Sequence, residues 1–289
     1  MAPGGRRARR LTGMEPVPGT RGPAATGGPG QPFVPDPPRG RVFTTARAVR
    51  GTDVTPAGRL RFDAIARYLQ DAAQDDLADA GWGEPYGWLL RRCEVAVREY
   101  PAGGRVGVRT FCSASGPRWA ERTTTLSGPS GDLVQARAVW VAITRADGRP
   151  CPLGPAFHRL YGPSTGGRQV SARLSHPAPP AAETGQYWPL RAADIDPAGH
   201  VNNSIHWAAV EDVLAGLAAA PTAAELEYHR PILPGQQPRM VTSHERGEVG
   251  VWLLDGTHRL ASARLTFHGS WLGERSHGLF HILVHVSPA

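Results

Sequence analysis

Two stretches of this chain place apolar residues at helical spacing, and each is followed by short segments that alternate apolar and polar side chains. In the first, Phe62, Ile65, Leu69, Ala72, Ala73, Leu77 and Ala80 fall on one helical face, Asp63 offers an N-cap, and Gly81 supplies a C-terminal stop. The second predicts a helix capped by Asn203 or Ser204 and running to Ala220, where Pro221 ends it. Ile205, Trp207, Val210, Leu214 and Leu217 make that helix apolar on nearly every side, so other structure must wrap it. After the first helix, strands are predicted at Glu94–Arg98, Arg105–Phe111, Glu121–Leu126 and Arg137–Thr144. After the second they fall at Glu225–Tyr228, Met240–His244, Val249–Leu254, Ser262–Phe267 and His281–Val286, with Asp147-Gly148 and Asp255-Gly256 as turns. Each half therefore reads as a strand, a buried helix and a run of antiparallel strands, an α+β unit in which a curved sheet wraps one helix.

The halves are related by more than their pattern. Asp53-Val-Thr-Pro-Ala-Gly58 returns as Asp194-Ile-Asp-Pro-Ala-Gly199 at an offset of 141 residues, and the same register carries Gln70-Asp71 onto Glu211-Asp212. The predicted organisation is a tail over residues 1–40, an N-terminal domain over 41–160, a Pro-, Gly- and Ser-rich linker over 161–184 and a C-terminal domain over 185–289.

Composition adjusts this picture in three ways. The net charge of +7 suggests a nucleic-acid partner until it is divided: six Arg against Glu15 and Asp36 place more than half of it in residues 1–40. All 32 basic residues are Arg, which points to coding bias rather than a binding surface. The tail holds nine Pro and nine Gly, too little apolar content to offset the entropy of ordering, so it is expected to be disordered and dispensable, with Met14 as an alternative start. No apolar run approaches the ~18 residues of a membrane span and no apolar core follows the Arg-containing N-terminus, which predicts a cytosolic protein with neither membrane nor nucleic-acid partner. Cys93, Cys112 and Cys151 are odd in number and widely spaced, so they read as buried or bystander thiols.

Candidate chemistry centres on Asp194-Ile-Asp196-Pro-Ala-Gly-His200-Val-Asn202-Asn203. Asp-Pro-x-Gly is also what a type I turn requires, and Thr55-Pro-Ala-Gly58 meets the same requirement. The divergence between copies separates the two meanings: Pro-Ala-Gly is kept in both, whereas Asp196 and His200 are Thr55 and Arg59 in the first. This segment, with Glu211 beyond it, resembles the Asp-x-x-x-Gly-His-Val-Asn-Asn signature of hotdog thioesterases, in particular the acyl-ACP thioesterases, and its Asp-Pro-Ala-Gly is similar to that of hydroxybenzoyl-CoA thioesterases. Trp140-Val-Ala-Ile-Thr with Asp147-Gly-Arg-Pro150 resembles the strand and turn ending that family's non-catalytic N-terminal hotdog, and the likeness runs from about Arg41 to Val286.

The resemblance implies a tandem double hotdog that hydrolyses a fatty acyl-ACP to free fatty acid and holo-ACP, without cofactor or metal. Asp196, His200 and Asn202 would be catalytic, with Asn203, Val201 and Glu211 toward the substrate. Thioester hydrolysis needs a base or nucleophile and donors for the developing oxyanion, and a carboxylate just before a helix start offers both. His200 could orient Asp196 or protonate the leaving thiol, or simply pack near the helix; one Asn is equally well an N-cap; Glu211 is either a site carboxylate or a buried structural one. The chain departs from the plant enzymes at Ala198, where they have Asn, at His206, where they have Tyr, and at Pro231-Ile232, where they have Glu-Cys. The partner implied is an acidic acyl carrier protein, met by basic residues such as Arg91, Arg92, Arg118 and Arg122, and a homodimer is possible. Three rivals remain: a non-catalytic carrier-binding hotdog protein, an acyl-CoA thioesterase, and an enoyl hydratase whose Asp-to-His spacing is not met here. His277, His281 and His285 share a helical spacing, but strand-like surroundings argue against a metal site.

Overall fold

The structure, a computed structural model, describes residues 33–267 except 84–85, 102, 182–184 and 246. Strand β1 (Phe43–Val49) precedes helix α1 (Phe62–Asp79), and β2 (Tyr86–Val97), β3 (Gly104–Ser115), β4 (Trp119–Gly128) and β5 (Gly131–Thr144) follow. After α2 (Pro155–Thr165) and the short β6 (Gln186–Tyr187), the second half repeats the plan with α3 (Asn203–Leu214), β7 (Ala223–Tyr228), β8 (Arg239–Glu245), β9 (Glu248–Asp255) and β10 (His258–Thr266). The predicted strand at 281–286 and the three histidines near it lie outside the described residues.

All ten described strands form one sheet in the order β1-β3-β4-β5-β2-β7-β10-β9-β8-β6. Every named pairing is antiparallel. The halves meet where β2 pairs with β7, from Arg92 opposite Glu227 to Ala96 opposite Ala223. Joining there removes the open edge that each half would otherwise leave to water or to other chains. Inside the curve, α1 and α3 pack on each other, with Phe62 stacked on Trp207 at 5.4 Å between ring centroids and both side chains fully buried. One core, running through α1, α3, β2, β5, β7, β9 and β10, spans both halves. This is the double hotdog that the repeat implied.

Several local details differ from the sequence-based expectation. Asp63 does not cap α1: Arg61 holds the extended N-cap position, and Asp63 instead pairs with Arg61 and Arg67. Gly81 does follow the helix, at a φ of +62° that L side chains rarely adopt. Helix α3 is shorter than predicted, ending at Leu214, because Gly216 and Leu217 close i to i−3 bonds onto Val213 and Leu214 that tighten and end the last turn. Tyr161 lies inside α2 rather than opening a linker, and with Phe157 it packs against Trp82.

The Pro-rich segment beyond α2 is a strap held across the outer face of the sheet. Trp119 donates to Val170 O, Arg92 to Ser171 O and Arg173 O, and both Arg259 and Trp252 to Pro177 O. The end of the tail is also attached, since Asp36 pairs with Arg109 and Arg137 lies over the ring of Phe33; residues 1–32 are outside the described set. Cys93 and Cys112 are free and buried, and desolvation pushes both thiols up to about 12, while the half-buried Cys151 is raised less.

Candidate active site at the helix α3 start

The repeated hexapeptides fold alike and share the main bonds of their backbone frame. In each, a 3₁₀ turn leads in, Asp53 N–H donates to Arg50 O as Asp194 N–H does to Arg191 O, and the Asp carboxylate accepts the N–H of the residue three before it. Thr55 N–H donates to Arg59 O and Gly58 N–H to Thr55 O, matched by Asp196 with His200 and by Gly199 with Asp196. Gly58 and Gly199 take φ of +81° and +82°, where any side chain would strain the backbone. The frame is therefore structural in both halves, and Asp53 and Asp194 serve it. Burial would raise the Asp53 carboxyl, but the Arg50 N–H, Tyr68 and Arg67 together hold it below the usual range.

What the frame presents differs between halves. Asp196 stands on its turn with Oδ1 accepting from Ala198 N–H at 2.9 Å, and Oδ2 has no hydrogen-bond partner among the described residues. His200 Nδ1 lies 3.7 Å from Asp196 Oδ1, within ion-pair reach but beyond a hydrogen bond, and 3.4 Å from Val201 O. Both side chains are partly open, at 17% and 26% of their surface. Asn202 is the N-cap of α3: its Oδ1 accepts from both Ser204 N–H and Ser204 Oγ, so the cap is neither Asn203 nor Ser204, and that oxygen is committed to the helix. Val201 donates its N–H to Ile232 O and buries its side chain in the core, where it fixes the wall behind the motif.

His206, one turn into α3, is distinguished in the sequence only by standing where the plant enzymes have Tyr. It is buried against Tyr228, and desolvation pushes it down to about 4. A neutral imidazole whose Nδ1 lies 3.2 Å from the Asn202 carbonyl must carry its proton there, so it acts as a second tie on the N-cap.

Glu211 reaches across to the first half. Its two oxygens accept from Arg59 at 3.1 and 2.5 Å, and Oε1 also accepts from the Phe62 N–H at 2.7 Å. Both partners belong to the first half, and Arg59 is the counterpart of His200. The first-half counterpart of the Asp196 turn is thus engaged in an ion pair, with Arg59 further covering the ring of Tyr100 at 5.3 Å. The corresponding space on the other side of the pseudo-twofold holds a small cavity, about large enough for one water molecule. Asn203 and Gln70 share its lining with Leu69, Trp140, Trp207 and Tyr228, and Tyr228 donates its hydroxyl to Asn203 O. Gln70 was legible only as the repeat partner of Glu211.

The remaining candidates fall elsewhere. Of the four arginines expected to form a carrier-binding patch, Arg118 alone is exposed; Arg92 is buried against Glu225, Arg122 pairs with Asp76, and Arg91 donates to Tyr228 O with burial lowering its pKa. Among the described residues, one group brings metal-ligating atoms within reach of one another: His176, Glu225 and Glu227. Glu225 and Glu227 alternate with the core-facing Leu226, so this group lies on the outer face, away from Asp196. There Glu227 accepts the N–H groups of Ser175 and His176, which fastens the strap, and Arg92 already approaches Glu225 to 3.4 Å.

Comparison with known proteins agrees with this geometry. Residues 40–161 match the acyl-ACP thioesterase N-terminal domain, and residues 178–262 match the acyl-ACP thioesterase C-terminal domain. An uncharacterized protein of Mycobacterium tuberculosis is 30% identical over 208 residues, which are 71% of this chain and 83% of that protein. Among solved structures, the 12:0-ACP thioesterase from Umbellularia californica superposes with a TM-score of 0.67 at 22% identity, over 78% of this chain and 96% of that one. An acyl-ACP thioesterase from Bacteroides thetaiotaomicron gives a TM-score of 0.63 at 18% identity, over 78% and 97%. These two likenesses establish the shared fold, while the matches to both domains in order establish the relationship: the chain belongs to the acyl-ACP thioesterase family of double-hotdog thioester hydrolases.

Proposed function

We propose that Asp196 carries thioester hydrolysis at the interface between the halves, with the acyl chain directed toward the apolar wall between α1 and α3. The observation that supports this most is the contrast between two copies of one frame. The copy with Thr55 and Arg59 is filled by the Arg59–Glu211 ion pair; the copy with Asp196 and His200 has no such pair, and Gln70 and Asn203, the counterparts of Glu211 and Phe62, line a small cavity with an apolar wall. Leu69, Leu90, Ala138, Trp140 and Trp207 make that wall suited to hydrocarbon.

In this reading Asp196 removes a proton from water, and the oxygen so activated adds to the thioester carbonyl carbon. The α3 N-terminus faces the negative charge that develops on the carbonyl oxygen. Collapse of the tetrahedral intermediate breaks the carbon–sulfur bond and releases the carboxylic acid; the thiolate takes up a proton, for which His200 is within reach of Asp196. Asn202 contributes by holding the helix start rather than by touching the substrate. The absence of Glu and Cys at Pro231-Ile232 fits a site that relies on one carboxylate, since Ile232 is fully buried and offers only its backbone oxygen to Val201. Acyl-ACP is the family's substrate, and we place the reaction in the cytosol; among the described residues no helix is long and apolar enough to cross a membrane.

The test is a matched pair of variants assayed on a series of acyl-ACP substrates. Asp196→Asn keeps the size and turn bonds of Asp but cannot act as base, so kcat should fall by about 10²- to 10⁴-fold at unchanged melting temperature. Thr55→Ala should leave turnover nearly as it was. Near wild-type activity in a folded Asp196→Asn protein would assign the carboxylate to the turn alone.

A further inference from the structure

We propose that Gln70, on helix α1 of the non-catalytic half, donates a hydrogen bond to the substrate's thioester carbonyl oxygen across the interface. The inference rests on the Asp196 reading above and extends it to a residue contributed by the other half.

The two halves are related by pseudo-symmetry. An offset of 141 residues relates Asp53 to Asp194, Arg59 to His200, Phe62 to Asn203 and Gln70 to Glu211, and it preserves the backbone bonds of the frame. In the closed copy, Glu211 reaches from α3 across the interface and sets a carboxylate oxygen on the first amide of α1, the Phe62 N–H, at 2.7 Å. That oxygen is negative, sits at a helix start and is held by Arg59 as well. It shows what this position accepts: an anionic oxygen. The symmetry mate of the Phe62 amide is the Asn203 N–H, which meets no protein acceptor among the described residues. The symmetry mate of Glu211 is Gln70, whose amide likewise has no partner among the described residues, is half-buried, and lines the same cavity as Asn203.

The exchange of Glu for Gln decides the function of each copy. A carboxylate reaching across fills the helix start with its own oxygen and shuts the site. A carboxamide of the same length carries no charge to compete there, and its NH₂ is a donor. The position that Glu211 Oε1 fills in one copy is then left for the thioester oxygen in the other, bound by the Asn203 N–H and flanked by Gln70 Nε2. As the carbonyl carbon is attacked and that oxygen becomes negative, both donors stabilise it more than they stabilised the ester, so the effect belongs to kcat.

The test uses two variants of the full chain with an acyl-ACP that wild type turns over. Gln70→Leu keeps bulk and removes the donor, and kcat should fall by about 10- to 10³-fold with KM little changed, at a melting temperature close to wild type because no protein bond is lost. Gln70→Glu installs the closing carboxylate in the open copy, and it should abolish turnover more completely than Gln70→Leu at pH 7. A rise in KM alone, or unchanged kinetics in either folded variant, would overturn the donor role. Should Gln70→Leu fail to fold, the near-isosteric Gln70→Glu decides alone. If Asp196→Asn is inactive while both Gln70 variants are active, only the present proposal fails; if all three are active, the site itself is misassigned.

Discussion

Replacing Glu211 by Ala separates a structural carboxylate from a substrate-binding one. In the wild-type protein the Arg59–Glu211 pair is largely shielded, with 16% and 11% of the two side chains exposed, and Glu211 also satisfies the first amide of α1. The substitution leaves a guanidinium charge over the rings of Phe62 and Tyr100 and an unpaired N–H beneath it. Removing one partner of a fully buried pair costs about 3–5 kcal/mol, and an orphaned buried N–H about 1–3 kcal/mol. Residual water access to Arg59 discounts the first figure, so a total of about 3 kcal/mol is expected. For a domain of this size each 1 kcal/mol lowers the melting temperature by about 2–4 °C, which sets the expected fall at about 6–12 °C. Calorimetry on wild type, Glu211→Ala, Arg59→Ala and the double variant measures it, and the cycle gives the coupling between the two side chains. Below the transition, kcat and KM should stay within about twofold of wild type. A melting temperature within a degree of wild type together with a raised KM would refute the reasoning and return Glu211 to the substrate.

Two further outcomes follow from buried groups near the site. Trp207→Ala removes a fully buried ring stacked on Phe62 and should destabilise by about 3–5 kcal/mol, measured by denaturant midpoint; a loss below about 1 kcal/mol would show that the α1–α3 contact is not the shared core described. His206 has its pKa depressed by burial to about 4, below its value of about 6.5 when unfolded, so the unfolded chain takes up the proton first. Stability should therefore fall as pH drops from about 6.5 toward 4, by up to about 1.4 kcal/mol per pH unit, and His206→Phe should flatten that slope; parallel urea titrations at several pH values would expose a wrong sign.

What could be read in the sequence was what the chain encodes locally. The hexapeptide frame was visible because its turn is made by its own residues: Pro at the second position, Gly at a positive φ, Asp or Thr at the first. Strand alternation was equally local, and the predicted strands are shorter versions of β2 to β5 and β7 to β10. Partners far apart in sequence were not visible. Arg122 and Arg92 looked like surface cations because nothing near them shows that Asp76 and Glu225 neutralise them. Whether Glu211 is a site carboxylate or a structural one stayed open in the sequence because its partner Arg59 lies 152 residues earlier. The strap looked like a passive linker because proline and glycine mark irregular backbone whether it floats or is bonded along its length. The N-cap was missed by one residue for a smaller reason: Asn202, Asn203 and Ser204 can all cap a helix, and only backbone geometry chooses among them.

Joining the two halves in one chain has a genetic consequence beyond its mechanical one. In an assembly of two identical subunits, every substitution is made twice, so a residue that closes one site closes both. Here β2 and β7 bring the same surfaces together with a covalent strap between them, and each copy can change alone. Arg59 and Glu211 could therefore become a permanent brace without silencing Asp196. The tether also holds the halves at an effective concentration on the order of millimolar, so a site built from both should survive dilution to levels at which a weak dimer would come apart.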